Sequence, residues 1–600
     1  MGDNVHIPAN PFRALTVPAQ GGIIELASDG ASAPADHDGM DIEEEMDVKH
    51  TKWYKDGVFY QIWPRSFKDG DGDGMGDLWG VCEKLDYIKS LGMDGIWFSP
   101  LYPSPGVDCG YDIADYMDIA PEFGGMAAFD KMLAGAHERG MKVIMDLVVN
   151  HTSSQHEWFQ KSRQRIDPYT DYYIWRPAKP DGSLPNNWDS LFEGKAWQYD
   201  DVRGEYYLHL FAIEQPDLNM DNPLVREEVK KILRFWLDKG VDGFREDVIT
   251  FISKVEGLPD DPSPYAKGLM LYNHGPHIHE YLTEFYDGAL ADYDCMTLAE
   301  APLVDPETAL KYIEEKPGQE IDMMIQFQTM TADCVFSDYI RAPFSLNKLK
   351  SAWSEWQDKL EGKGWNMLYI ENHDHARVIS RYGSEKFRAE SGKALAAAYL
   401  FQKGTPFVYQ GQEIGMTNWR PADPDMYEDV QTRWQYAHVN TDWADADRLK
   451  LLWDASRDSA RTPVQWSAEK NAGFTTAEKP WFYVNDNYPE VNVAAQEADP
   501  DSLLNFYRKA IALRKSLKCV RHGDYREYEA ESATRYVYSR AFESQRILVV
   551  CAFSEEKQAF AAPEGFDLSA AKLALCSIAD PAEGELAPYE CRVYLWEAEA

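Results

Sequence analysis

The feature that most constrains this chain is a unit repeated along its first two thirds: a short apolar run, rich in β-branched and aromatic residues, followed by a longer segment of helical period. Eight such runs stand out: Val58–Ile62, Gly95–Ser99, Lys142–Val149, Gly243–Val248, Met296–Glu300, Ile321–Phe327, Met367–Ile370 and Thr405–Tyr409. Strands that alternate with amphipathic helices pair in parallel. Eight of them close most naturally into a (β/α)8 TIM barrel, and 600 residues leave room for additions to it.

The additions are visible as breaks in the period. Residues 1–50 are rich in Gly, Ala, Ser and Asp and end in Asp41-Ile42-Glu43-Glu44-Glu45, a composition expected to give a disordered N-terminal extension. The barrel is assigned to 51–151 and 220–522. Between its third and fourth strands, 152–219 are aromatic and polar without helical period, and read as an inserted subdomain. After the eighth strand, 410–500 look loop-rich, and a helix follows over Ser502–Ser516 with Leu503, Leu504, Tyr507, Ile511 and Leu513 facing inward. From 523 the period becomes two, as in Tyr536-Val537-Tyr538 and Ile547-Leu548-Val549-Val550. Residues 523–600 are therefore expected to form an antiparallel C-terminal β-sandwich.

Charge and composition remove several classes of partner. A formal net charge of −40 argues against nucleic acid and anionic membrane. No apolar run reaches 18 residues, and the N-terminus lacks a basic segment followed by an apolar one, so neither a membrane span nor a secretory signal is expected. The eight cysteines are scattered without CxxC pairing, which fits reduced thiols in a cytoplasm rather than a zinc site or a disulfide framework. A monomer or weak homo-oligomer is expected. The 19 Trp and 34 Tyr suit flat hydroxylated ligands such as sugars, and equally an ordinary core.

In a TIM barrel the chemistry sits at the C-terminal strand ends. There the sequence places Asp146, Asn150 and His151 after strand three, Arg245 and Asp247 on strand four, Glu300 on strand five, and Glu371-Asn372-His373-Asp374 on strand seven. Arg245 and Asp247 are two apart and share a face; Glu246 must point the other way. An adjacent arginine favours an ionised Asp247. Two carboxylates across a scissile bond, one ionised and one holding a proton, equip a retaining glycosidase, with Asp247 attacking and Glu300 protonating the leaving oxygen. After strand one, Asp69-Gly70-Asp71-Gly72-Asp73-Gly74-Met75-Gly76-Asp77 alternates carboxylates with glycines, the pattern of a hard-cation loop. Its start copies EF-hand spacing, but position twelve is Gly80 rather than glutamate. Four aspartates would repel phosphate, which leaves a calcium site or a solvated acidic turn.

These residues resemble the α-amylase superfamily, glycoside hydrolase family 13. Asp146-Leu147-Val148-Val149-Asn150-His151, Gly243-Phe244-Arg245-Glu246-Asp247, Glu300 and Asn372-His373-Asp374 look like its four short regions in order. Gln215-Pro216-Asp217-Leu218-Asn219 resembles the marker of its oligo-1,6-glucosidase subgroup. The resemblance implies Asp247 as nucleophile, Glu300 as general acid/base and Asp374 as the carboxylate that binds substrate hydroxyls. It implies that His151, Arg245 and His373 line the subsite of the transferred sugar, with Tyr111 as its stacking platform. Asp108, partnered by Arg461, would grip the terminal glucose and enforce exo action. Asp69, Asp71, Asp73, Asp77 and the Met75 carbonyl resemble the subgroup's calcium site, for which magnesium is the alternative ion.

Val248, directly after the nucleophile, goes with acceptance of α-1,6 linkages in this subgroup. Glu246 departs from it, since relatives mostly carry an apolar residue there. The implied activity is retaining exo-hydrolysis of short α-1,6-linked (isomaltose-type) oligosaccharides. Maltose hydrolysis, trehalose-6-phosphate hydrolysis and sucrose or trehalose isomerisation are alternatives on the same machinery. A catalytically silent barrel subunit of an amino-acid transporter is a remote one, since it would have a membrane span and lack the carboxylates.

Overall fold

The computed structural model describes residues 51–597 apart from 193, 317–318 and 338; the extension expected over 1–50 lies outside the described residues. All eight apolar runs form strands: β1 Phe59–Ile62, β2 Gly95–Phe98, β3 Lys142–Leu147, β4 Gly243–Glu246, β5 Met296–Ala301, β6 Met323–Gln326, β7 Met367–Leu368 and β8 Thr405–Tyr409. They pair in parallel in the order β7-β8-β1-β2-β3-β4-β5-β6. A bridge between Met324 and Asn366 brings β6 to β7 and closes the barrel. Six strands are shorter than their apolar runs by one to three residues.

Alternation sorts the side chains. Phe59, Trp97, Ile144, Met296, Leu298, Ile325 and Phe407 fill the barrel interior, whereas Val58, Ile96, Val143 and Phe244 pack outward with the helices. Gly243 is required by close approach: a Cβ there would lie 2.2 Å from the Met296 carbonyl oxygen. This lets β4 sit tightly on β5, with Arg245 opposite Leu298.

The insert holds the helix Glu157–Arg163 and a three-stranded antiparallel sheet of Trp175–Arg176, Glu205–Leu208 and Trp197–Asp200. Its core joins the barrel mouth, since Trp188, Trp197, Leu208 and Phe211 cluster with Val248 and Phe251. The stretch expected to be loops contains the helices Val430–His438 and Asp445–Ala455. These bury few side chains, Thr432 in the first and Leu452 and Ala455 in the second, so they carry little amphipathic signal.

The helix Leu503–Ser516 is capped by Ser502 and buries Leu503, Leu504, Tyr507 and Ile511, while Leu513 is half-buried. Beyond it a five-stranded antiparallel sheet packs one face (Val537, Leu548, Val550) against Phe560 and Leu586. Its other face (Tyr536, Tyr538, Val549) joins the main core. No described helix is long and apolar enough to cross a membrane.

Candidate active site

A cavity of about 340 Å³ opens at the C-terminal end of the barrel strands, lined by Asp108, Tyr111, His151, Asp247, Glu300 and Asp374 among others. Arg245 organises it from behind. One guanidinium nitrogen donates to Asp146 and to Asp247, each at 2.6 Å, and the other lies 2.8 Å from Glu300. Trp97 and Tyr111 face the same guanidinium at 5.4 and 5.7 Å. Arg245 and His373 were expected to line the sugar subsite; both are buried one layer behind the wall, where they fix the groups that do.

Three acids share one guanidinium. Burial raises Asp247 well above the usual carboxylate range, and Glu300, Asp146 and Asp374 raise it further against the pull of Arg245. Glu300 is raised too, by burial first, and Asp146 to about 6. Arg245 pulls Asp247 toward the ionised form, as the pair on one strand face suggests, but shares that pull with Asp146 and Glu300. The three carboxyl groups are raised together and titrate as a unit. The second oxygen of Glu300 accepts from the Val248 amide at 3.0 Å. Val248 reaches this position in a left-handed conformation, φ 35°.

Asp374 differs from these acids. Burial would raise it, but the His373 ring and the guanidiniums of Arg457 and Arg461 hold it well below the ordinary range. Arg457 and Arg461 each donate to its Oδ1 at 3.2 Å. His373 is itself pushed down to about 4 by burial, so at neutral pH its contribution is a hydrogen bond, not a charge. The Tyr111 hydroxyl lies 2.6 Å from His373 Nε2 and 3.1 Å from Asp146, and Gln61 meets the other ring nitrogen at 2.7 Å.

The closed end of the cavity carries Asp108. Its loop wraps around Asp112, whose carboxylate accepts from the amides of Val107 and Asp108 and from Ser104. The guanidinium that meets Asp108 belongs to Arg457, at 3.5 Å, and not to Arg461. Arg461 sits one helical turn further on, over Trp63, and supports the His373 carbonyl and Asp374. Asp429 ties both arginines together and caps the helix that brings Gln431 to the cavity wall. Arg457 stands in the same sequence motif as Arg461, so the motif was legible and the register within it was not. Gln215 donates to Asp108 at 3.2 Å and meets His151 at 3.1 Å, while Asp217 accepts from Asn150 and Lys254. The Gln215–Asn219 segment thereby locks the insert onto the site. His151 is neutral, pushed to about 4 by burial.

In the loop after β1, carboxylate oxygens of Asp69, Asp71 and Asp77 lie within 4.8 Å of one another, a donor set that fits a hard divalent cation. Asp73 stands outside this group, its Oδ1 accepting from the Met75 amide at 2.7 Å. Glu246 points away from the cavity, as alternation requires, and is 2% exposed with one carboxyl oxygen unpartnered.

Residues 61–523 match the family model for the α-amylase catalytic domain. The chain is 46% identical to the oligo-1,6-glucosidase of Parageobacillus thermoglucosidasius, over 90% of this chain and 98% of that protein. It is 41% identical to the trehalose-6-phosphate hydrolase of Bacillus subtilis, over 92% and 99%. Among solved structures, the Bacillus licheniformis trehalose-6-phosphate hydrolase superposes with a TM-score of 0.86 at 41% identity, over 91% of this chain and all of that one. The trehalulose synthase of Pseudomonas mesoacidophila gives 0.85 at 40%, over 90% and 99%. With that likeness spanning the barrel, the insert and the convergence of Asp247, Glu300 and Asp374, the chain belongs to the α-amylase family of glycoside hydrolases.

Proposed function

We propose that the protein is a retaining exo-α-glucosidase that removes the terminal glucose of short α-1,6-linked oligosaccharides. The observation that carries this reading is the closed end of the cavity, where Asp108 and Arg457 meet behind the three acids. A sugar seated there has no room for a further residue on its non-reducing side. Asp247 attacks the anomeric carbon, Glu300 protonates the departing oxygen, and water then completes the second displacement with Glu300 as base. Asp374, ionised and arginine-held, accepts from the sugar hydroxyls. Val248 beside the acid, and the oligo-1,6-glucosidase relatives, support the linkage.

The wall also speaks against a phosphorylated substrate: among its described residues there is no lysine, and its one arginine lies at the closed end. Incubation with isomaltose, maltose, sucrose, trehalose and trehalose 6-phosphate, with products separated chromatographically, tests the assignment. Isomaltose should be turned over fastest, and Asp247→Asn should abolish release of glucose. Preferential hydrolysis of trehalose 6-phosphate would overturn the linkage reading, and full turnover by the variant the catalytic one.

Asp69, Asp71 and Asp77 would hold a structural calcium ion, or magnesium, that neutralises their own charge and fixes the loop. Small α-glucosides as substrates, a monomer or weak homo-oligomer, and a cytoplasmic location, in keeping with eight free cysteines, complete the proposal.

A further inference from the structure

At the closed end of the cavity two guanidiniums meet three carboxylates. Arg457 lies 2.5 Å from Asp429, 3.2 Å from Asp374 and 3.5 Å from Asp108. Arg461 lies 3.2 Å from Asp374 and 3.5 Å from Asp429. Asp108 and Asp374 line the cavity, whereas Asp429 is buried behind its wall. Both oxygens of Asp429 are engaged: Oδ1 faces the two arginines, and Oδ2 accepts from the amide and the hydroxyl of Thr432 at 2.8 and 2.6 Å. Asp458 stands beyond it, its Oδ2 accepting from the amides of Glu428 and Asp429, so the acids gain a further member and the arginines none. The cluster therefore carries at least one anion more than its arginines balance. The shortest arginine contact goes to the carboxylate that lies outside the cavity.

We propose that Asp429 is a positioning residue for the terminal glucose: it takes the larger share of Arg457 and leaves Asp108 the most weakly held carboxylate of the cluster. This rests on the exo-α-glucosidase reading above. An ionised Asp108 accepts charge-assisted hydrogen bonds from sugar hydroxyls, and a protonated one accepts weaker bonds. The charged groups that face it are Arg457, Arg461 and Asp429 from the segments after β8, and Asp112 on its own loop. The neighbouring Cys109 thiol, pushed up to about 11, and His151, pushed down to about 4, stay neutral. Burial first, then Asp429 and Asp112, push Asp108 up to about 7 against the two arginines. Asp429 thereby sets the pH below which the grip on the terminal glucose slackens.

The inhibition constant of glucose against isomaltose turnover reads this grip without the chemistry, and is measured as a function of pH. In the unsubstituted protein glucose should bind more weakly below about pH 7. Asp429→Asn keeps an acceptor for the Thr432 cap and removes the charge. It should move the midpoint down by about one pH unit, a roughly tenfold change, as expected of one neighbouring charge. Asp429→Ser repeats the loss of charge with a different cap. Arg461→Gln removes a cation and should move the midpoint up by about as much. Opposite shifts on losing the acid and losing the arginine are a result that mere damage to the fold does not give. A midpoint unmoved in both Asp429 variants, or moved the same way by loss of the acid and of the arginine, would overturn the proposal. Failure to release glucose from any α-glucoside would instead sink the glucosidase reading, and this role with it. Turnover with a fixed midpoint sinks the role of Asp429 alone.

Discussion

Glu246 lies next to Asp247 yet contributes nothing to the cavity wall, and it makes the sharpest physical prediction. Burial, with Asp322 nearby, pushes its carboxyl up to about 8 from an ordinary 4.5, and one oxygen has no hydrogen-bond partner. The folded protein therefore keeps a proton that the unfolded chain gives up. Stability is fully present below pH 4.5 and is lost as pH rises toward 8. At pH 7 the gap is 2.5 units, or ~3.4 kcal/mol at ~1.36 kcal/mol per unit. An unfolding entropy of ~2.1 cal/mol/K per residue over roughly 550 residues gives ~1.2 kcal/mol/K, so the penalty is ~3 °C in Tm. Glu246→Gln and Glu246→Leu remove it. In thermal scans at pH 5, 6, 7 and 8, the variants should match the unsubstituted protein within 1 °C at pH 5 and exceed it by about 3–4 °C at pH 7–8. Isomaltose turnover should be unchanged, since the side chain faces the helices. Melting curves that stay parallel across this range would refute the buried-acid reasoning; a variant less stable at every pH would show that the carboxylate is paired after all.

Other outcomes follow from the arginine and acid network. Arg457→Lys should raise KM for isomaltose and lower kcat/KM by about tenfold to a hundredfold, because a single ammonium cannot meet Asp108, Asp374 and Asp429 together; Arg461→Lys, away from the cavity wall, should cost Tm more than KM. Burial pushes Asp108 up to about 7 despite Arg457 and Arg461, so kcat/KM of the free protein should fall below pH 7 as this grip protonates. Asp108→Asn should remove that acid limb along with much of the affinity. Chelation by EDTA should lower Tm, with calcium restoring it, and Asp69→Asn should abolish the response; a Tm indifferent to EDTA and calcium would dismiss the cation.

The barrel was legible because strand and helix periods differ so plainly that all eight apolar runs could be marked at their correct places. Asp247, Glu300 and Asp374 were legible because each lies at or within four residues of the C-terminal end of such a run. The helices after β8 were not, since Val430–His438 buries little apolar surface and is held instead by its Asp429 cap and by Arg457 and Arg461. The partner of Asp108 was misassigned by one helical turn. Sequence spacing places Arg457 and Arg461 on one helical face, and only the path of the loop around Asp112 decides which of them reaches Asp108. The surroundings of Asp247 were also out of reach, because Asp146 and Glu300 share its guanidinium, a fact of three strands rather than one.

The pairing of Asp108 with Arg457 joins positions 349 residues apart. A ribosome adding ~5–20 residues per second needs roughly 20–70 s to travel between them. During that interval the nascent chain can hold Asp247 and Glu300, yet it lacks the Asp108–Arg457 wall and has nothing to count glucose units from the terminus. Selection for a chain end therefore waits until Arg457 has been made, by the order of the chain alone.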